Sequence, residues 1–182
     1  MDPTRLAVFK EVLAEIIINK GFIPDQESFD LFQKIVPWPA TEVCLVNTRG
    51  ELLLQRRHFK EWPGEWGKID DWYIPGGYMK TEGSIEDWCR KHLAKDGVIA
   101  EFEYQGEVAG VIKWAPGEHP IGFPLSVNCV CRLDGPISFR TGTEQNFQFV
   151  DKVVPTAVPN HTKLQEMFFW WRNHNLHLFK RD

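Results

Sequence analysis

The side chains with most chemistry to offer lie on one stretch, from Ile74-Pro75-Gly76-Gly77 to Gly97. Pro75-Gly76-Gly77 reads as a turn out of a short strand, and Ser84 as the N-cap of a helix that Gly97 ends. Glu86 and Asp87 fall in the first turn, where carboxylates suit the positive end of the helix dipole. Ile85, Trp88, Cys89 and Leu93 recur at helical spacing and commit one face to a core. A second face carries His92, Lys95 and Asp96: an imidazole able to take a proton, an ammonium, and a carboxylate with hard oxygen donors. The glycines beside them let backbone approach a ligand closely. Function is expected here.

These side chains need a scaffold. Leu6, Phe9, Val12, Leu13, Ile16 and Ile17, behind Asp2-Pro3 and before Gly21, predict an amphipathic helix, an N-terminal extension over residues 1–21. Its apolar face suits packing on its own domain and equally a homodimer contact. Residues 22–182 read as a single domain. Within it Glu27–Val36 predicts a short helix, and Thr41–Asn47 with Leu52–Arg57 a hairpin about Thr48-Arg49-Gly50-Glu51. His58–Asp71 is a loop, and Trp72–Ile74 a strand feeding the glycines. After the helix come strands at Ala100–Gln105 and Glu107–Trp114, a loop at Ala115–Phe123, and a strand at Leu125–Arg132 ended by Asp134-Gly135-Pro136. Gly142–Asn146 is a polar loop, Phe147–Val153 a strand and Thr162–Asn173 an aromatic-rich helix. That order predicts an α+β fold, an α/β/α sandwich on a mixed β-sheet.

Composition narrows the function classes. At 182 residues, 43% hydrophobic and 25% charged, the chain can bury a substantial core. Its net charge of -4 argues against nucleic acid as a partner. No apolar run is long enough to span a membrane, and Met1-Asp2-Pro3-Thr4 lacks the basic-then-apolar order of a signal peptide. The cysteines (Cys44, Cys89, Cys129, Cys131) sit in apolar patterns without zinc-ligand spacing, so buried free thiols in the cytoplasm are expected. Eight Trp and thirteen Phe are a rich supply of rings for the core and for stacking on a ligand.

From Gly76-Gly77 into the helix the chain resembles the Nudix family, over residues 22–172. Ile23-Pro24-Asp25-Gln26-Glu27-Ser28-Phe29, Asn47–Leu54 and Trp66–Gly77 look most like the GDP-mannose mannosyl hydrolase branch. Gly77 to Gly97 is one residue shorter than the family's box, so two alignments arise. With the gap after Asp96, the apolar positions match, Lys91 replaces the family's Arg, His92 and Lys95 replace two metal-binding Glu, and Asp96 the third. With the gap in the loop, Glu82 and Arg90 keep their spacing, His92 enters the core, and Ala94 and Lys95 fall on the Glu pair. Core periodicity favours the first. Both deplete the acidic cluster, and Lys95 opposes a cation by about 4 kcal/mol for unit charges ~4 Å apart at an effective dielectric of about 20.

The resemblance implies Mg2+ held by Gly77, Glu82, Asp96 and Gln145. It implies substrate contacts from Arg57, Gly76 and Gly77, and rings at Trp66 and Trp72 that stack on a base or sugar or simply pack the loop. Glu144-Gln145-Asn146 reads as a solvated turn, or resembles the branch's Glu-Gln-His, with Asn146 where the general base stands. Asn cannot take that proton near neutrality, so His119 or His92 would have to. Three functions follow: a Mg2+-dependent hydrolase of a nucleoside diphosphate sugar such as GDP-mannose, or of a related derivative; a degenerate nucleotide-binding module; or an interaction protein using its terminal helices.

Overall fold

The computed structural model describes residues 37–58, 69–79, 83–115, 117–119, 122 and 124–179, together with Ala7, Val8, Lys10, Glu11 and Ala14. Those five are helical. The remainder of the extension over 1–21, the helix expected over 27–36, Trp66 and Glu82 lie outside the described residues.

Among the described residues seven strands form one sheet: β1 (Pro39–Val46), β2 (Leu52–His58), β3 (Asp70–Tyr73), β4 (Gly76–Tyr78), β5 (Val98–Lys113), β6 (Leu125–Phe139) and β7 (Phe147–Val150). The order is β3-β2-β1-β6-β5, with β4 on β1 and β7 on β2. β1 and β6 run parallel over Pro39–Val46, and every other pairing is antiparallel, so the sheet is mixed. Helix α1 (Ile85–Asp96) covers one face and α2 (Pro159–His174) the other. The chain is thus an α/β/α sandwich.

Strand alternation builds both layers. Val43 and Leu45 of β1, Leu53 of β2, and Cys129, Cys131 and Leu133 of β6 point toward Cys89 and Leu93 of α1. Cys44, Val46, Leu52, Leu54 and Val130 point the other way, toward Leu164, Phe168, Phe169 and Trp171 of α2. The central strands therefore read as unbroken apolar runs, because both their faces are covered. Each large side chain so buried contributes about 1.5–3 kcal/mol. Asn128 Nδ2 donates to the Leu164 carbonyl at 2.8 Å and Val154 N–H donates to Gln165 Oε1 at 2.9 Å, which pins α2 to the sheet.

α1 starts and stops where its sequence predicts. Ser84 Oγ accepts from Asp87 N–H while the Asp87 carboxylate accepts from Ser84 N–H, and Gly97 at φ 91° caps the other end. Three expectations need correction. The strands at 100–105 and 107–114 are one strand, β5, with Gly106 (φ 70°) absorbed in a register shift between Tyr104 and Val108. β6 does not end at Asp134-Gly135-Pro136; those three residues bulge opposite Glu101, where the register moves from Phe102↔Leu133 to Ala100↔Ile137. β1 pairing stops at Arg132, so Pro136 has one unpaired edge for its missing N–H. Finally, α2 begins at Pro159 instead of Thr162, since proline at a helix's first position surrenders no hydrogen bond.

Candidate functional site

The sheet divides in its middle. β1 and β2 share a single paired position, Val46↔Leu52. Beyond it the consecutive strands β3 and β4 take one each: β3 pairs with β2 over Gln55–His58, and β4 pairs with β1 over Ala40–Glu42. The linking Ile74-Pro75 crosses between them, and Val43 N–H donates to the Pro75 carbonyl at 2.7 Å. Glu42, Arg57, Tyr73, Gly76 and Gly77 gather around this division, and Asp96 closes it from the last turn of α1.

Two carboxyls and one guanidinium dominate its electrostatics. Burial pushes the Glu42 carboxyl up to about 7; a hydrogen bond from Ser126 works against this and the Asp96 charge adds to it. Ser126 Oγ donates to Glu42 Oε1 at 2.8 Å and accepts from Trp114 Nε1 at 3.0 Å, which fixes the carboxyl's orientation. Burial also raises Asp96, while Lys95 and Arg57 pull it back. Asp96 Oδ2 is buried with no hydrogen-bond partner among the described residues. The Arg57 guanidinium stands 6.0 Å from the centroid of Tyr73, whose hydroxyl is raised by burial first and by Asp96 second, with Arg57 opposing. Arg56 points elsewhere, forming a two-pronged pair with Asp70 at 2.8 Å.

Gly76 and Gly77 serve close packing. A side chain at Gly76 would collide with Glu42 Oε2 and the Thr41 carbonyl, and one at Gly77 would sit 2.8 Å from His92 Cε1. Of the two places open to it in the sequence, the face shared with Lys95 and Asp96 or the core, His92 takes the core. It is 6% exposed, tilted against Trp88 at 5.6 Å between ring centroids and capped by Gly77. A turn lies between it and Asp96, so both still face the glycine strand. Lys95 is exposed.

On the α2 side two imidazoles flank the same arginine. His119 lies edge-on to Trp114 (5.1 Å) and to Tyr78 (5.9 Å), with Nδ1 3.4 Å from the Tyr78 hydroxyl. His161, in the first turn of α2, meets Trp114 at 5.5 Å and Tyr73 at 5.8 Å. Burial, then the neighbouring His161 and Arg57 charges, lower His119 to about 3; burial and Arg57 lower His161 to about 4. Both are neutral at pH 7.

The other expected site residues are spread out. Trp72 is half-buried and packs against the α2-side core. Gln145 and Asn146 lie on a 3-10 turn, Glu144–Asn146, at the entrance to β7; Gln145 is exposed and its amide donates to the Gly142 carbonyl at 3.0 Å. Among the described residues no three His, Cys, Asp or Glu side chains converge on one point. Two residues at the division carry signals of different strength in the sequence. Glu42 is a lone acid in the apolar run Ala40–Val46, and a charge in a strand buried on both faces is itself a signal. His161 sits in an ordinary polar helix start, and only the fold brings it to Arg57.

Neither a protein-family model nor a curated protein matches the chain. Solved structures do. A UDP-X diphosphatase superposes with a TM-score of 0.53 at 17% identity, covering 97% of this chain and 83% of its own. An ADP-ribose pyrophosphatase of Streptococcus suis gives 0.52 at 20% identity, covering 74% of this chain and 91% of its own. The NUDIX domain of Shewanella oneidensis NrtR, complexed with ADP ribose, gives 0.52 at 14% identity, covering 90% and 97%. At these identities the likeness is one of fold: the chain has the Nudix sandwich.

Proposed function

We propose that this chain hydrolyses nucleoside diphosphate derivatives, nucleotide sugars foremost, at the division between β1 and β2. One observation carries the reading: the half-buried Asp96 carboxyl lies within electrostatic reach of both Arg57 and Glu42 at that division. A guanidinium presents paired N–H donors that match two phosphoryl oxygens. The names of the similar structures support the substrate class, since an ADP-ribose pyrophosphatase, a UDP-X diphosphatase and an ADP-ribose complex share this fold.

The donor set fits one Mg2+ ion. Asp96 Oδ2 is a buried oxygen without a partner, and a second carboxyl kept from ionising by burial would gain from a cation's charge. Asp96 and Glu42 would hold it, with water completing the shell. When bound, such an ion neutralises phosphoryl charge and lowers the pKa of a water ligand. The chain's own part is positional. Arg57 clamps the diphosphate, the Trp114–Ser126–Glu42 relay orients the carboxyl, and His119 and His161 remain neutral hydrogen-bonding groups. Asn146 contributes no base, and His92 is shielded beneath Gly77.

Purified protein with Mg2+ and a panel of nucleotide sugars tests this, with Asp96→Ala as control. Turnover in the parent and its loss in the control is expected; equal rates in the two sink the hydrolase reading. Mg2+-independent ligand binding without turnover supports the second reading, a nucleotide-binding module, which Lys95 and Asn146, standing where the resemblance places an acid and the general base, favour. The homodimer read from residues 1–21 is tested by light scattering.

A further inference from the structure

Arg57 has two unlike flanks. Toward α1 lies Asp96; Glu42 shares the α2 face of β1 with Cys44 and Val46 and is tied through Ser126 to Trp114. Toward α2 lie His119 and His161, walled by Trp114, Tyr73 and Tyr78. On that second flank His161 Nδ1 is buried with no hydrogen-bond partner among the described residues. A cleft of ≈ 280 Å3 is lined by Ile69, Glu118, Ala157, Val158, Pro159 and Asn160, which takes in the chain neighbour of each histidine but neither histidine itself. Its polar groups are already engaged: the Glu118 carboxylate accepts from Ala115 N–H at 2.7 Å and from Asn160 Nδ2 at 3.1 Å.

We propose that His161 is a specificity-determining residue whose Nδ1 hydrogen-bonds a hydroxyl of the sugar attached to the diphosphate, inside this ring of aromatic side chains. The inference rests on the diphosphate reading of Arg57 and adds the chemistry of what lies beyond it. Three features point to a hydroxyl. Among the described residues Arg57 is the cation that acts on the pair, and burial keeps both imidazoles neutral, so a second phosphate would enter without compensation from them. A neutral imidazole nitrogen either accepts or donates according to tautomer, and a hydroxyl satisfies both cases whereas a phosphate dianion only accepts. The surrounding rings offer apolar surface of the kind that packs against a sugar's C–H face. His161 is also held rigidly: its turn follows Pro159, and the helix is anchored through Asn128 and Gln165. A placed partner of this kind discriminates because an analogue lacking the hydroxyl leaves the nitrogen buried and unpaired.

The test is calorimetric titration of the whole chain, with Mg2+, using inorganic pyrophosphate, ADP, ADP-ribose, UDP-glucose and GDP-mannose. In His161→Ala the affinity for the preferred sugar nucleotide, taken relative to pyrophosphate, falls about tenfold. His161→Gln, whose amide also accepts and donates, recovers most of that ratio. An unchanged ratio in His161→Ala overturns the inference, as does an equal loss for pyrophosphate and sugar nucleotide, which marks a purely structural role. Pyrophosphate binding without a sugar-nucleotide preference in the parent keeps the diphosphate reading and overturns this one. No pyrophosphate binding overturns both.

Discussion

Replacing Glu42 by Gln tests whether this acid is held back from ionising by its setting. Gln keeps an oxygen for the Ser126 hydroxyl and removes the charge. An ordinary glutamate ionises near 4.5, whereas Glu42 does so near 7 in the folded chain. Between those values the unfolded state has already released the proton that the native state retains. The unfolded chain then binds fewer protons, so stability falls as pH rises from about 4.5 and levels off above about 7. The full drop is ~3 kcal/mol at 1.36 kcal/mol per pKa unit. Relative to the parent, Glu42→Gln should therefore gain about 2–3 kcal/mol between pH 5 and pH 8, roughly 4–12 °C in Tm for a chain of this size. Urea denaturation of both proteins at the two pH values, without divalent metal, measures it, and other titrations cancel in the difference. Mg2+ at pH 8 should stabilise the parent and do less for the variant, because the ion takes the place of the retained proton. Parallel stability curves for parent and variant across this range would refute the reasoning.

Other perturbations give separate tests. Arg57→Lys exchanges a two-pronged donor for a point charge and should weaken pyrophosphate binding about tenfold or more by calorimetry; unchanged affinity removes Arg57 from the site. Gly77→Ala forces a methyl group to 2.8 Å from His92 Cε1 and should cost about 1–3 kcal/mol in urea denaturation. His92→Ala in the same chain should recover much of that loss, and simple additivity of the two substitutions would mean the rings do not meet. Cys44, Cys89, Cys129 and Cys131 are free and buried, with burial among the causes that raise the Cys44, Cys89 and Cys129 thiols, so a thiol reagent should label them at the rate of unfolding. Rapid labelling in native buffer contradicts that burial.

The sandwich is legible in the sequence because its signals are local. Ser84 and Gly97 bracket α1, the apolar positions between them choose its face, and the hairpin turn is written in Thr48-Arg49-Gly50. Where the sequence misleads, a tertiary neighbour has changed the meaning of a local signal. Gly106 and Gly135-Pro136 look like chain reversals, yet each is absorbed in a register shift between the long strands β5 and β6. For His92 the sequence leaves the site face and the core both open, and Gly77 decides for the core by leaving a space that its ring fills. Arg57 is visible from the sequence; its company is not. Asp96, Tyr73, His119 and His161 come from four separate segments, and only the divided sheet and the two helices assemble them around one guanidinium.

That assembly also bears on the unusual composition of α1. On either alignment Lys95 and a second residue that is no acid, His92 or Ala94, stand where the Nudix box resemblance leads one to expect acids. The burial of His92 agrees with the alignment that gives it a core slot, and Asp96 is the acid the helix keeps beside the glycine strand. A carboxyl lost from a helix need not be lost from a site. β4 presses against β1 through Gly76, with no room for a side chain, and this brings Glu42 into the electrostatic neighbourhood of Asp96 from the opposite wall. One acid from each wall can grip a single cation, but cannot build the dense cluster that several acids on one helix would. On this reading, Lys95 is tolerated because the second acid comes from β1, and the activity of the chain should depend on Glu42 as strongly as on Asp96. Turnover retained in Glu42→Ala but lost in Asp96→Ala would show that the strand acid is not a substitute for the missing helix acids.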